Sequence, residues 1–331
     1  MNMLLKRFAH CLMVVLLALG CIGCSNVPSL STNPWQIMNL PTDASLYDLA
    51  FTGDPNHGWL VGSRSTLFET FDRGQTWQPR QIELGDEKIN FTGVSFFGQE
   101  GWIVGKPSIL LHTLDGGKNW TRIVLSSKLP GAPYSILALG KNAAEMATDV
   151  GAIYKTTDGA KNWKALVQEA VGVVRNLQRS PSGEYVAVSS RGNFYSTWTP
   201  GDIAWEPHNR NSSRRLQNIG FGRDGRQWLL ARGGQIQFSD SGEDGSWGEV
   251  IYPEPSTSWG FLDIGYRTAD EMWLSGGSGN LLVSTDGGQT WQKDRAVENA
   301  PANLYRILFQ DADHGFILGD RGVLLRYTPS T

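Results

Sequence analysis

One eight-residue pattern is written four times along this chain. It reads TFDRGQTW from Thr70 to Trp77, TLDGGKNW from Thr113 to Trp120, TTDGAKNW from Thr156 to Trp163 and STDGGQTW from Ser284 to Trp291. A turn repeated at a steady interval sets the size of the structural unit, and so constrains the fold more than composition does. Tryptophans at 77, 120, 163, 205, 247 and 291 are spaced by 43, 43, 42, 42 and 44 residues. Ahead of each lie three short apolar runs bounded by Gly, Asp or Pro, and one more run follows. In the second copy these are FTGVSFF, GWIVG and ILLHTLDGGKNW, then TRIVL. Runs of that length and composition read as four antiparallel strands per repeat. A four-stranded unit of about 40–45 residues, repeated, is a propeller blade.

Six repeats end in a tryptophan. A seventh, LYRILFQ, HGFILG and VLLRYT, lacks both the tryptophan and a fourth strand. The missing strand stands at the other end of the chain, where NPWQIMNLP matches QTWQPRQIEL and KNWTRIVL. Trp35 to Leu40 is therefore expected to complete the last blade and to remove the open edge it would otherwise present. The fold class is all-β. It is expected to be a seven-bladed β-propeller of four-stranded antiparallel blades over residues 33–331, with six blades or an open solenoid as alternatives.

The repeated turn has the form (Ser/Thr)-x-Asp-x-Gly-x-(Thr/Asn)-Trp. Its carboxylate can accept hydrogen bonds from the turn's own N–H groups, its glycine can take positive φ, and its tryptophan can be buried against the next sheet. Asp72 with Trp77, Asp115 with Trp120, Asp158 with Trp163 and Asp286 with Trp291 are accordingly structural turn residues. The fourth and fifth repeats break the pattern, with STWTPGDIAW and SDSGEDGSW.

Those two repeats are also the cationic ones. Residues 175–232 carry nine arginines, Arg175, Arg179, Arg191, Arg210, Arg214, Arg215, Arg223, Arg226 and Arg232, against four acids and no lysine, a net +5. The whole chain is −3, and −5 without Lys6 and Arg7, so the rest of it carries −10. That balance argues against a nucleic-acid partner. Guanidinium groups bind carboxylates in a bidentate way and recur at protein interfaces, so the stretch is the candidate partner-binding surface. Arg191 and Arg232 fall in turns between second and third strands, like Arg64 and Arg321. Arg210, Arg214 and Arg215 lead into the fifth blade. Arg179, Arg223 and Arg226 fall on the side of the repeated turns. Arg175 is expected to align with Asp48, Asp263 and Arg306 and to face the central channel.

Lys6 and Arg7 precede an apolar run from Cys11 to Ile22 that is too short to span a bilayer and has a secretory layout. It ends in LALGCIGCSN, a lipoprotein processing pattern. Residues 1–23 are thus the expected signal and 24–32 a tether, with Cys24 acylated, or Cys21 in its place. An ordinary signal peptide and a retained anchor are the alternatives. All three cysteines lie in the first 24 residues, so the folded part is expected to hold no disulfide.

No zinc spacing, phosphate-binding loop or nucleophile elbow is present, and no metal or cofactor is expected. The repeated turn also occurs in sialidases, so a glycosidase using Asp48 and Asp263 across the channel is the enzymatic alternative. A generic envelope scaffold is another.

LALGCIGCSN, NPWQIMNLP, the turns TFDRGQTW, TLDGGKNW and STDGGQTW, and the arginine-rich fourth and fifth blades together resemble the photosystem II stability and assembly factor family of cyanobacteria and chloroplasts. The likeness runs over essentially the full chain. It implies a non-enzymatic assembly chaperone that binds the newly made precursor of a reaction-centre core polypeptide and supports early assembly complexes. It also implies a lumenal, membrane-tethered location, with the plasma membrane's periplasmic face as a second one, and an arginine patch as contact surface. Carried over, the patch is Arg175, Arg179, Arg191, Arg210, Arg214, Arg215, Arg223 and Arg226, with Arg232 at its edge. A monomer is expected.

Overall fold

The structure, a computed structural model, describes residues 30, 32–85, 87–210, 212–240, 246–254 and 260–329. The signal segment, Cys21 and Cys24 lie outside the described residues.

Seven antiparallel sheets follow one another round a ring. Blade one sets the pattern. From the channel outward its strands are Leu46–Phe51, Gly58–Gly62, Leu67–Thr70 and Gln78–Pro79. We call these positions a to d. Blade seven is built from Leu304–Asp311, His314–Gly319 and Val323–Tyr327, and its strand d is Trp35–Asn39. Trp35 pairs with Tyr327 and Asn39 with Val323. The two ends of the chain thus close the ring, as the sequence predicts.

The cores lie between blades, since each twisted sheet buries both faces against its neighbours. Leu46, Leu49 and Leu60 of blade one pack with Phe316, Leu318 and Leu324 of blade seven. Trp273, Leu281 and Val283 of blade six pack with Trp35, Ile317 and Tyr327 of blade seven.

The repeated turns join strands c and d. In each, the first Ser or Thr hydroxyl accepts an N–H four residues on, as Thr113 Oγ1 does from Gly117 at 3.0 Å. The Asp carboxylate accepts the N–H and side chain of the Thr or Asn before the tryptophan. Asp115 takes both from Asn119, at 2.9 and 2.7 Å. Those bonds hold the Asp115 carboxyl down to about 2. Two consecutive residues of each turn adopt positive φ, which the written motif only half shows. They are Gly116 and Gly117 in the second copy but Arg73 and Gly74 in the first, with Arg73 at φ +63°. Arg73→Gly is therefore expected to raise stability by about 0.5–1 kcal/mol, since an L residue is strained there. Urea unfolding of the two proteins checks it; equal midpoints would mean that turn is unstrained.

Blade five departs from the four-stranded expectation. Its sheet has three strands, Leu216–Phe221, Gln227–Ala231 and Gln235–Phe238. In place of strand d, two isolated bridges join Ile236 to Ile251 and Ser239 to Trp247. The fifth repeat reads SDSGEDGSW, one residue longer, where the regular turn leads into strand d in blades one, two, three and six. Most of that segment, 241–245, lies outside the described residues.

Every strand a carries a bulge at one place: between Leu46 and Asp48, Phe91 and Gly93, Pro133 and Ser135, Val174 and Asn176, Leu216 and Asn218, Phe261 and Asp263, Leu304 and Arg306. This corrects the expected alignment of Arg175. The bulge inserts one residue, and Arg175 occupies it. The fourth-blade counterpart of Asp48, Asp263 and Arg306 is Asn176.

Candidate functional site

The residues after the bulges of blades four to seven and one form a polar belt that stitches each of these blades to the next. Asp48 Oδ2 accepts the Val94 N–H of blade two at 3.0 Å. Asn218 Nδ2 donates to the Leu262 carbonyl of blade six at 2.7 Å and to Asp263 Oδ1 at 3.2 Å. Asp263 Oδ2 accepts the Ile307 N–H of blade seven at 2.8 Å. Arg306 pairs with Asp48 Oδ1 at 2.9 Å. Burial pushes the Asp263 carboxyl up to about 7, against those bonds and the Arg306 charge. Burial also raises Asp48, against the pull of Arg306. The two acids do not face each other across an open channel: they occupy blades six and one, with Arg306 of blade seven between, and all their described oxygens are engaged.

The arginines divide between the two faces of the ring. Arg191 and Arg232 occupy the b–c turns of blades four and five, and Arg210, Arg214 and Arg215 occupy the connection between these blades. Backbone bonds knit the group together. Arg215 Nη1 donates to the Arg191 carbonyl at 3.0 Å, and the Arg232 N–H donates to the Arg215 carbonyl at 2.9 Å. Arg210 donates to the Arg214 carbonyl at 3.2 Å and to Gln237 Oε1 at 2.9 Å. Arg175 joins them through its bulge, donating to Gln217 Oε1 at 2.8 Å and to the Ser190 carbonyl at 3.1 Å. Burial, then the Arg232 and Arg215 charges, lower its proton affinity. Among the described residues none of these six is ion-paired. Elsewhere on this face Arg64 pairs with Asp43 at 2.5 Å and Lys106 with Asp149 at 2.8 Å, while Arg321 in the b–c turn of blade seven is, among the described residues, as unpaired as the six. A small set of unneutralised guanidinium groups therefore concentrates field at one sector.

The other three sit on the face of the repeated turns. Arg179 is held by Glu145 of blade three at 2.7 Å, which also accepts the Tyr185 hydroxyl at 2.8 Å. Arg226 pairs with Asp224 at 2.7 Å and lies 4.5 Å over the Phe238 ring. Arg223 reaches over the lower channel to the carbonyls of Arg267 at 3.1 Å and Phe309 at 2.8 Å. The structure thus brings together six of the nine and sets three apart. The Arg226 pairing had a local sign, an acid two residues earlier in RDGR. The Glu145 pairing had none, since its partner lies a blade away.

A groove beside Arg210 escaped the sequence reading. It has a volume of about 700 Å³ and is lined by Tyr195, His208, Arg210, Gln235, Gln237 and Trp247 among others. It opens where blade five lacks a regular strand d, an absence legible only as irregularity in the fifth repeat. No group of acids, histidines and cysteines suited to a metal ion occurs among the described residues.

The chain is thus a closed seven-bladed β-propeller with one sector of guanidinium groups that carry no ion pair among the described residues. The family description Photosynthesis system II assembly factor YCF48 matches residues 27–328, and the chain belongs to this family of photosystem II assembly factors. The Photosystem II assembly lipoprotein Ycf48 of Trichormus variabilis is 64% identical over 98% of this chain and 94% of its own. The protein of that name from Synechocystis is 60% identical over 98% and 95%. A solved structure described as YCF48 bound to D1 peptide superposes with TM-score 0.90 at 58% identity, covering 92% of this chain and 98% of that one. YCF48 from Cyanidioschyzon merolae gives 0.84 at 40%, covering 90% and 99%. A virginiamycin B lyase from Staphylococcus aureus, TM-score 0.70 at 12%, shares the fold alone.

Proposed function

We propose that the chain is a non-enzymatic chaperone of photosystem II assembly. Its six-arginine face captures an acidic segment of the newly made reaction-centre core polypeptide and of early complexes containing it. One observation carries the reading: six guanidinium groups of blades four and five gather at one sector of that face, and among the described residues none of the six pairs with a carboxylate. The relative described as bound to D1 peptide supports the choice of client. A ring stitched blade to blade loses little freedom on binding, which favours capture of a flexible segment. Acylation of Cys24, in keeping with the lipoprotein name of the relatives, would hold the factor at the lumenal membrane surface near its client. The monomeric ring suffices, since the six arginines come from one chain. A glycosidase reading has little to stand on, because Asp48 and Asp263 are committed to the belt.

The test replaces Arg214, Arg215 and Arg232 by Glu and titrates a synthetic D1 peptide by calorimetry. Affinity is expected to fall at least about tenfold, and wild-type affinity to weaken with salt, as charge-steered contacts do. Arg122→Ala, which breaks a pair with Glu87 elsewhere on the ring, should change nothing. Unchanged affinity in the triple variant, with its thermal unfolding intact, would remove the arginine face from the mechanism.

A further inference from the structure

The turn face of blades one and two carries three apolar side chains in solvent. Phe71 is 57% exposed, Phe97 54% and Leu114 66%. Phe71 and Leu114 occupy the same place in the repeated turn, just before its Asp. The third and sixth blades put Thr157 and Thr285 there, so the turn itself does not ask for an apolar residue. The three share one sector. Phe71 stacks on His57 at 4.8 Å, and a Cβ on Gly116 would lie 3.3 Å from that same imidazole. The Gly116 N–H donates to the Gln99 carbonyl at 2.8 Å, two residues on from Phe97. The charged residues of this sector are Asp54, Arg73 and Lys118, and the Asp72 and Asp115 carboxylates are turned inward onto their own turns.

The path of the chain towards Cys24 leaves the ring at the same face and runs up the rim. In blade seven, strand c runs toward the turn face and ends at Tyr327, and Trp35 stands opposite Tyr327. The chain therefore enters the ring from that side. The Leu30 N–H donates to the Lys293 carbonyl at 3.3 Å and its side chain packs on the blade six–seven core; Lys293 stands opposite Leu282 in the middle of its blade, so Leu30 sits at mid-height on the rim. Six residues separate Leu30 from Cys24, a reach of about 20 Å at most. A five-residue strand is itself about 17 Å long. A lipid on Cys24 thus lets the turn face meet a bilayer with slack. From mid-height that reach lets either face meet the bilayer, and the exposed apolar side chains Phe71, Phe97 and Leu114 favour the turn face.

We propose that the turn face of blades one and two is a lipid-contacting surface, with Phe71, Phe97 and Leu114 inserted at the headgroup level. This holds the arginine face toward the water, open to a client segment. The proposal rests on the reading that Cys24 is acylated.

The acylated full chain, with a single cysteine introduced as Leu114→Cys or Arg191→Cys, would be labelled with an environment-sensitive fluorophore. It would then be bound to vesicles of phosphatidylcholine and phosphatidylglycerol containing headgroup-level quencher lipids. Mass measurement of the N-terminal peptide reports acylation separately. The expected result is a blue shift and at least about twofold quenching at 114, with neither at 191. Equal signals, or the reverse, would overturn the proposal. A label at 114 that stays wet on vesicles and dries only when D1 peptide is added would also overturn it, in favour of a protein partner. If the peptide carries no acyl mass, the tether reading fails on its own. Flotation of the unmodified chain then judges the face: flotation reduced severalfold by Phe71→Ser with Leu114→Ser upholds it, and no flotation at all sinks it.

Discussion

Replacing Trp35 by Ala is expected to cost about 3–5 kcal/mol, the usual range for emptying a buried aromatic site, and to lower the unfolding temperature by roughly 5–15 °C. The reason is position. Trp35 is 3% exposed and packs edge-on against Trp273 at 5.3 Å, Tyr327 at 5.1 Å and Phe309 at 5.7 Å. It anchors the strand that, among the described residues, joins the two ends of the ring. Losing it leaves a cavity and also loosens the seam where Val323–Tyr327 would become an edge. Trp35→Phe keeps a ring against Trp273 and Tyr327 and should cost less than half as much. Thermal unfolding of the three proteins decides the matter. If Trp35→Ala melts with the wild type, the ring does not depend on N-terminal closure.

This closure was legible because a propeller blade is an integer count of strands. Six complete copies and one short by its outer strand leave a deficit that only NPWQIMNLP can fill. The b–c turn arginines were legible for the same reason: Arg191 and Arg232 stand at the offset of Arg64 and Arg321 from their own repeats. The bulge was not legible. It is occupied by Tyr47, Thr92, Tyr134, Arg175, Gln217, Leu262 and Tyr305, residues with nothing chemical in common. Missing it placed Arg175 one position off, in the belt, whereas it belongs to the arginine face. Charge pairing was half legible. Asp224 lies within reach of Arg226 along the chain, but Glu145 meets Arg179 only after two blades are packed together.

The belt carries the second large effect. Arg306→Met should destabilise the ring by about 2–4 kcal/mol, because it strips Asp48 of its counter-charge inside the protein. The lower end of that range applies because the Arg306 side chain is 42% exposed while that of Asp48 is 11%. The loss should depend on pH, and the sign follows from the raised carboxyls. Asp263 titrates near 7 in the folded ring and near 4 in the unfolded chain. The folded state therefore binds an extra proton between those values, and stability falls as pH rises through 7, by on the order of 3–4 kcal/mol in all. Asp48 and Asp294, both raised by burial, act in the same direction. The carboxylates held low by hydrogen bonds, Asp115 and Asp158 among them, lose their contribution only at acid pH. Wild-type stability is thus expected to be higher at pH 5.5 than at pH 8. Without Arg306 the folded-state carboxyls rise further, so the gap between variant and wild type should widen from pH 5.5 to pH 8. Adding Asp48→Asn to Arg306→Met should recover much of the loss at pH 8 and less at pH 5.5. Unfolding temperatures of the three proteins at both pH values make the comparison. A wild type that gains stability from pH 5.5 to pH 8, or a double variant no better than the single one at pH 8, would mean that the belt is held by its backbone bonds and not by the Arg306 charge.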